Sequence, residues 1–391
     1  MITSIIDNDL YKFTTSYAYM KLFPHALGAF EFTDRNNTVY TQEQLELIKS
    51  RIYHLTSLKL TKQEKEFMSD KCYYIPPCYF EWLEGYRYDS SEIKELCLDS
   101  EGHLKISVSG LLYRITLWEV PILAIVSEVL ATSQGVVSDV LAASRTIQKA
   151  SIAENEGIKF SEFGTRRRAS FAVQDTVIKH LSQYASRSLT GTSNCYFAMK
   201  YNLTPIGTHP HEWFMFHGAQ YGYDNANYLA LEDWAKVYDG DLGIALSDTY
   251  TSDVFFRNFS KKHAKLFDGI RQDSGDPFKF IEKAICRYNE LKVDPLTKTI
   301  IFSDSLDMNK AAEIARNCRG RIKCAFGIGT NLTNDVNLKP ANIVMKLTEC
   351  QMNYKQPTRK CVKLSDSEGK HMGDPDEVAL ALMLINQHYK L

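Results

Sequence analysis

Aspartates occur in two pairs, each after a predicted strand in the second half of the chain. Asp273 and Asp276 follow one strand, and Asp304 and Asp307 follow the next. Carboxylates suit ribose hydroxyls, and Mg²⁺ prefers one or two carboxylates together with substrate oxygens and water. Asp276 and Asp307 each precede a predicted helix, where an acidic residue stabilises the N-terminus. Asp273 and Asp304 are therefore the better candidates for a functional site.

Residue types that bind phosphate occur at two further positions. Arg166, Arg167 and Arg168 are consecutive, and a glycine-rich segment runs from Gly327 to Asn331. One guanidinium group can bind two oxygens of a phosphate at once, and glycines let backbone N–H groups approach an anion closely. A solvated basic turn and a plain tight turn are the alternatives. Together the two positions indicate a local phosphate site.

Three histidines lie close together in the segment that follows residue 207. His209 and His211 have the His-x-His spacing of some zinc sites, and His217 is near them. The sequence offers no third ligand with a firm spacing, and Pro210 indicates a rigid turn into a helix. A nucleophile or a general acid/base is therefore the better interpretation of a histidine beside phosphate-binding residues.

The elements that must position these residues alternate between strands and helices from about residue 126 onward. Such alternation predicts β-α units and an α/β barrel, in which the active site is built at the carboxyl ends of the strands. Polar clusters follow nearly every predicted strand, which indicates one pocket. The predicted strands are residues 159–163, 204–207, 243–247, 269–272, 299–303, 324–328 and 343–347.

Two domains are expected. Residues 1–125 mix helix and strand patterns and predict an α+β domain, to which the C-terminal segment 355–391 is expected to return. Residues 126–354 are expected to form the α/β barrel. The fold class is therefore α/β, an irregular barrel with an additional α+β N-terminal domain.

The composition narrows the function classes. The chain has 391 residues, and 46 Lys and Arg oppose 47 Asp and Glu, so the net charge of -1 gives no reason to expect nucleic-acid binding. Its nine cysteines are odd in number and scattered, which argues against a disulfide framework. The N-terminus does not resemble a secretory signal, and no apolar run reaches the length of a membrane span. We expect a cytoplasmic protein that does not bind a membrane.

Six motifs together closely resemble those of bacterial nicotinate phosphoribosyltransferases, which belong to the type II phosphoribosyltransferases. They run in family order along the chain, and a shorter match follows at 363–366. The motifs are Asp9-Leu10-Tyr11-Lys12, Glu162-Phe163-Gly164-Thr165-Arg166-Arg167, Gly191-Thr192-Ser193-Asn194, Gly207-Thr208-His209-Pro210-His211-Glu212-Trp213-Phe214, Arg271-Gln272-Asp273-Ser274-Gly275-Asp276-Pro277 and Phe326-Gly327-Ile328-Gly329-Thr330-Asn331-Leu332.

The resemblance implies roles for individual residues. It implies that Phe163 and the partner subunit's Tyr11 sandwich the pyridine ring in a homodimer with shared active sites, as aromatic rings suit a flat heterocycle. It implies that ATP phosphorylates His211. The other substrate-binding residues that it implies are Arg166, Arg271 and Asp273 for the phosphoribosyl group, Asp304, Gly327, Gly329 and Thr330 for its phosphate, and Ser193 and Asn194.

The implied reaction joins nicotinate to the phosphoribosyl group of 5-phosphoribosyl 1-pyrophosphate. It forms nicotinate mononucleotide, the first step of NAD salvage from nicotinate, with ATP hydrolysis through the phosphohistidine and with Mg²⁺. No metal cage of protein ligands is expected; Asp273 or Asp304 is expected to hold Mg²⁺ through bound water.

Three alternatives remain at this stage. In amide-specific relatives an aspartate matches Ser193. A carboxylate about 4 Å from that of nicotinate would cost on the order of 4 kcal/mol at a dielectric near 20, so serine argues against nicotinamide phosphoribosyltransferase activity. Quinolinate phosphoribosyltransferases are expected to be shorter and to lack the histidine motif. An inactive relative that binds nucleotides is the third alternative.

Overall fold

The structure is a computed structural model that describes residues 2–367 and 369–389. Its helices are α1 Leu10–Leu22, α2 Gln42–His54, α3 Lys62–Lys71, α4 Pro77–Gly85, α5 Leu112–Ile115, α6 Glu119–Gln134, α7 Asp139–Glu156, α8 Phe171–Tyr184, α9 Cys195–Lys200, α10 His211–Tyr221, α11 Ala226–Tyr238, α12 Ser252–Asn258, α13 Lys261–Leu266, α14 Pro277–Glu290, α15 Met308–Cys318, α16 Thr330–Thr333 and α17 Pro375–Tyr389. Its strands are β1 Leu27–Asp34, β2 Ile93–Leu98, β3 Leu104–Leu111, β4 Phe160–Glu162, β5 Leu189–Thr192, β6 Ile244–Leu246, β7 Gly269–Gln272, β8 Thr299–Phe302, β9 Lys323–Ile328, β10 Ile343–Gln351 and β11 Arg359–Lys360.

The chain forms two compact units. Among the described residues, the first unit holds 2–17, 29–207 and 328–346, and the second holds 18–28, 208–327 and 347–389. The sequence-based boundary near residue 125 does not coincide with this division. Residues 126–207 lie in the first unit because α7 and α8 pack against each other there and β4 pairs with β5.

The first unit contains strands of a five-stranded sheet and a helix, α6, that is buried from Glu119 to Ala131. The strands of the sheet follow the order β2-β3-β1-β10-β11, and β2 and β3 are antiparallel. The stretch Leu112–Gln134, which includes α6, is long and apolar enough to cross a membrane by length and composition alone. However, 94% of its most apolar window is buried inside the protein, as in the core helix of a folded domain.

Four parallel strands form the framework of the second unit. β6 pairs with β7, β7 with β8 and β8 with β9, each in parallel. Helices α14 and α15 follow β7 and β8, and each begins at an aspartate that accepts hydrogen bonds from the first turn: Asp276 from Phe278 N, and Asp307 from Lys310 N. This confirms the prediction that Asp276 and Asp307 begin helices.

The C-terminal segment 355–391, which is expected to return to the N-terminal domain, has two parts. Its strand β11 pairs with β10 in the sheet that also contains β1, β2 and β3. Its helix α17 buries Ala381 and Ile385 in an apolar cluster of the second unit with Tyr250 and Val254, which follow β6.

The predicted parallel strands were correct at five positions and wrong at two. Residues 204–207 form only an isolated bridge, between Thr192 and Pro205. Residues 343–347 lie in β10, which belongs to the other sheet. β5 was not predicted. A short apolar run alone does not reveal which sheet a strand joins, because that depends on distant partners.

Candidate active site

The carboxyl ends of neighbouring parallel strands place polar side chains at one edge of the second unit. Asp248 and Thr249 follow β6, Asp273 follows β7 and Asp304 follows β8. His211 is the first residue of α10, directly after Pro210. The parallel register of these strands explains why groups separated by some 25 residues come close together.

His211 lies among three polar groups. Its Nε2 is 3.0 Å from Asp273 Oδ2 and 2.9 Å from the ammonium of Lys363. Its Nδ1 is 3.0 Å from Thr249 Oγ1. Asp248 Oδ1 lies 3.6 Å from Nε2. The imidazole is thus held by contacts at both of its nitrogen atoms.

The charges around His211 favour a neutral imidazole beside an ionised carboxylate. Burial, with a further contribution from Lys363, lowers the pKa of His211, although Asp248 and Asp273 oppose this. Burial would raise the pKa of Asp273, but Arg271, His211 and Lys363 outweigh it and hold that pKa well below its usual range. A neutral imidazole is the form that can act as a nucleophile.

Arg271 and Ser303 fix the orientation of Asp273. Arg271 donates from Nη2 to Asp273 Oδ1 over 3.0 Å and from Nε to Ser303 Oγ over 2.8 Å. Ser303 in turn donates to Asp273 Oδ1. Because Oδ1 is engaged in this way, Oδ2 faces His211.

The other two histidines have structural roles. His209 is buried, and its Nε2 accepts a hydrogen bond from Leu246 N over 3.1 Å. Burial, then Arg271 and His211, lower the pKa of His209 to about 3. His217 contacts Trp213 O through Nδ1 and Asp233 through Nε2. The three histidines therefore do not converge on a zinc site.

A carboxylate pair beside His211 suits a divalent cation. One metal-binding atom each from His211, Asp248 and Asp273 lie within 4.8 Å of one another. Asp248 is 1% exposed, and its Oδ1 has no hydrogen-bond partner among the described residues. Lys363 lies in the same place, 3.6 Å from Asp248 Oδ2, so its ammonium neutralises part of this negative charge.

Sequence reasoning did not assign four groups of this site. Asp248 and Thr249 directly follow the predicted strand 243–247, and this position is the signal in the sequence that points to them. Lys363 was seen only as part of a motif match, and it is 152 residues from His211. Ser303 ends an apolar run and gave no signal.

A second polar cluster lies in the first unit and includes the residues implied for the pyridine ring. Ser193 Oγ donates to Asp9 over 2.8 Å, and both side chains are buried. Tyr11 OH contacts Glu119 over 3.4 Å, and the fully buried Lys12 pairs with the same glutamate. Burial raises the pKa of Asp9, although Arg166, Thr165 and Ser193 oppose it. Ser193 therefore already lies against a carboxyl group.

The three consecutive arginines have different environments. Arg168 is fully buried and pairs with Asp7 and Glu128, so its role is structural. Arg167 donates to the backbone oxygen of Ile343 over 3.0 Å. Arg166 keeps 44% of its side chain exposed, with its guanidinium 3.6 Å from Glu119. Only Arg166 therefore presents much of its guanidinium to solvent, which favours it as the ligand-binding arginine.

Phe163 and the end of the glycine-rich segment come together in the first unit. Phe163 N donates to Ile328 O over 2.8 Å. A Cβ atom at Gly329 would lie 2.9 Å from Phe163 O, so the close approach requires glycine. Thr330 begins α16, and Asn194 donates from Nδ2 to Asp7 over 2.7 Å. Gly327 lies in the second unit, near the end of β9.

The structure brings the predicted residues together in two groups. His211, Arg271 and Asp273 form one contiguous set of contacts in the second unit. Asp304 lies in the same unit but pairs with Lys370, 3.0 Å away. The remaining predicted residues, apart from Gly327, lie in the first unit: Tyr11, Phe163, Arg166, Ser193, Asn194, Gly329 and Thr330.

Comparison with solved structures identifies the fold. The crystal structure of nicotinate phosphoribosyltransferase from Porphyromonas gingivalis superposes with a TM-score of 0.97 at 53% identity, over 99% of this chain and 100% of that one. The enzyme of that name from Vibrio cholerae has a TM-score of 0.92 at 34% identity, over 99% and 94%. The predicted fold class, a type II phosphoribosyltransferase fold with an additional N-terminal domain, is thereby confirmed.

Sequence comparison gives the family. Residues 158–389 match the profile of the nicotinate phosphoribosyltransferase (NAPRTase) family, and residues 6–127 match the profile of its N-terminal domain. Nicotinate phosphoribosyltransferase of Chromohalobacter salexigens is 45% identical over 97% of both chains, and that of Desulforapulum autotrophicum is 41% identical over 99% of this chain and all of the other. The chain belongs to the nicotinate phosphoribosyltransferase family.

Proposed function

We propose that this protein transfers the phosphoribosyl group of 5-phosphoribosyl 1-pyrophosphate to nicotinate and so contributes to pyridine nucleotide biosynthesis. The observation that carries the proposal is the combination of family membership along almost the whole chain with an ordered His211–Asp273–Arg271 cluster. An inactive relative would have no need to hold these groups in contact at the end of β7 and the start of α10.

The first-unit cluster is the proposed site of nicotinate. Phe163 and the partner subunit's Tyr11 offer aromatic faces to the ring, and the partly exposed Arg166 offers a cation to the carboxylate. Asp9 works against an anionic ligand, but burial raises its pKa and favours its neutral, hydrogen-bond-donating form. This explains how an acid could be accepted beside a carboxyl group.

The strand ends of the second unit are the proposed site of the phosphoribosyl donor. Arg271 provides a cation for the pyrophosphate, and Asp304 accepts hydrogen bonds from ribose hydroxyls. Asp273, held by Arg271 and Ser303, would bind Mg²⁺ through water, and the ion would supply charge stabilisation of the departing pyrophosphate. Few proton transfers are needed, so positioning and electrostatic stabilisation carry the reaction.

ATP coupling is proposed to proceed through His211. Nε2 is crowded by Asp273 and Lys363, whereas the hydrogen-bond contact of Nδ1 among the described residues is the hydroxyl of Thr249, so we assign Nδ1 as the nucleophile. Nδ1 forms a bond to the γ-phosphorus of ATP while the bond from that phosphorus to the bridging oxygen breaks, and ADP leaves with the electron pair. Water later cleaves the N–P bond, which returns imidazole and releases phosphate.

One observation favours nicotinamide as a second candidate substrate. The carboxyl group of Asp9, 2.8 Å from Ser193 Oγ, could accept a hydrogen bond from a carboxamide. The names of the relatives favour the acid.

The test is an assay of mononucleotide formation with nicotinate, nicotinamide and quinolinate, each with and without ATP. We expect product with nicotinate and a stimulation by ATP. Equal or higher kcat/KM with nicotinamide would contradict the proposed substrate. Product at the same rate with and without ATP, and no ATP consumption, would contradict the coupling.

A further inference from the structure

The loop from Lys363 to Met372, here called the tail loop, contacts the ends of three parallel strands of the second unit. Its base is closed by an antiparallel bridge: Lys363 N donates to Met372 O over 2.9 Å, and Met372 N donates to Lys363 O over 2.8 Å. Lys363 at this base contacts His211. The first residue of the tail loop therefore contacts the proposed phosphohistidine.

Side chains of the tail loop bind the segments after β6 and β7. Asp366 Oδ1 accepts a hydrogen bond from Ser252 N over 2.7 Å, and Asp366 N donates to Ser274 Oγ over 3.0 Å. Ser367 Oγ accepts a hydrogen bond from Gly275 N over 3.1 Å. These contacts fix the described part of the loop over two strand ends.

Lys370 reaches the third strand end. Its ammonium lies 3.0 Å from both carboxylate oxygens of Asp304, which follows β8. The side chains of Lys370 and Asp304 are 37% and 22% exposed, so the pair lies at the surface of the site and not in the core. Nothing in the sequence patterns drew attention to Lys370.

We propose that Lys370 is a positioning residue for the phosphoribosyl donor, which it serves through Asp304. The inference rests on the proposed function. An ionised carboxylate has about four acceptor positions, so two contacts from one ammonium orient it and leave positions for ribose hydroxyls. The donor carries several negative charges, and an isolated carboxylate would repel it. Lys370 removes that repulsion and keeps Asp304 in place.

The first experiment compares Lys370→Met with wild type. We expect the KM for 5-phosphoribosyl 1-pyrophosphate to rise at least about tenfold, because the charge of Asp304 is no longer offset. The KM for nicotinate should change less than about twofold. The matched control is Lys360→Met, which removes an exposed lysine of the same region that pairs with Asp374. That control should match wild type in both constants.

A double-mutant cycle with Asp304→Asn tests whether Lys370 acts through Asp304. In the Asp304→Asn background, Lys370→Met should change the donor KM less than about twofold, since no charge remains to be offset. An unchanged tenfold effect would overturn the proposal and make Lys370 a direct phosphate ligand. Lys370→Arg should restore the donor KM to within about threefold of wild type. Should Asp304→Asn not fold, the first experiment still overturns the proposal if Lys370→Met leaves the donor KM unchanged.

The failure of this inference is distinguishable from that of the proposed function. Wild-type protein that makes no nicotinate mononucleotide would contradict the function itself. Active wild type, with Lys370→Met indistinguishable from it or with both KM values raised equally, would overturn only the role of Lys370.

Discussion

At the scale of the residue, His211 differs from its two neighbouring histidines in contacting both an acidic and a basic side chain. His209 accepts a hydrogen bond from a backbone N–H, and burial lowers its pKa to about 3. His217 is buried and contacts the backbone oxygen of Trp213 in α10. His211 faces Asp273, Lys363 and the hydroxyl of Thr249. The positions of the three histidines in the sequence do not distinguish their roles, but their surroundings in the structure do.

We predict that γ-labelled ATP labels the protein at His211 with an acid-labile, alkali-stable phosphate, and that His211→Asn abolishes the label and ATP stimulation. Because burial lowers the pKa of His211, the neutral imidazole persists below the usual histidine range, so labelling at pH 6 should remain close to that at pH 7.5. The measurement is peptide mapping of the label. The surface variant His54→Asn serves as control, and a label that survives in His211→Asn would contradict the assignment.

Ser193 gives the second prediction at this scale. Ser193→Asp adds a carboxylate beside the proposed pyridine substituent and beside Asp9, which already contacts Ser193. We expect the ratio of kcat/KM for nicotinate over nicotinamide to fall, by up to about a thousandfold if the new charge lies about 4 Å from the substrate carboxylate at a dielectric near 20. Ser193→Ala adds no charge and should keep the preference. An unchanged ratio in Ser193→Asp would show that this side chain does not face the ring substituent.

At the scale of the element, strand β4 ends in a buried acid. Glu162 accepts hydrogen bonds from Thr192 Oγ1 over 2.6 Å and from Gln174, yet burial raises its pKa to about 7. The next residues are Phe163 and Gly164. The protonation state of Glu162 is therefore coupled to the stability of the turn that presents Phe163.

This coupling predicts a pH dependence of stability. Since the folded pKa is raised from 4.5 to about 7, the contribution of Glu162 is fully present below pH 4.5 and is lost as pH rises through 7, a change of about 3 kcal/mol. Urea unfolding of wild type and Glu162→Gln across pH 4.5 to 8 measures it. The variant should gain stability relative to wild type as pH rises. The exposed-residue variant Glu46→Gln should follow wild type, and parallel curves for wild type and Glu162→Gln would refute the coupling.

At the scale of the whole molecule, the two groups of site residues lie in different compact units, and the family resemblance implies that Tyr11 serves the partner subunit's site. We predict that Tyr11→Ala and Arg271→Ala are each inactive and that mixing them restores part of the activity. Random exchange would leave about one intact site in four if Tyr11 comes from the partner. Subunit exchange is verified by mass spectrometry. If the subunits have exchanged and the mixture is still inactive, Tyr11 and Arg271 serve the same chain's site.

Local signals in the sequence were enough for much of the framework. The strand Gly269–Gln272 has the predicted bounds, because apolar spacing and end residues act over a few positions. Asp276 and Asp307 begin their helices for the same reason. Sheet membership was harder, as residues 343–347 show, since strand pairing depends on distant segments.

The family, the fold class and the candidate site residues follow from the amino-acid sequence, because a motif or a strand end consists of consecutive positions. Which of these side chains meet depends on how the chain folds. The tertiary structure brought Lys363 to His211 from 152 residues away, left Asp248 Oδ1 without a hydrogen-bond partner among the described residues, and joined Lys370 to Asp304. The physical reason is that charge, burial and pKa depend on neighbours in space, and parallel strands bring together residues that the chain keeps far apart.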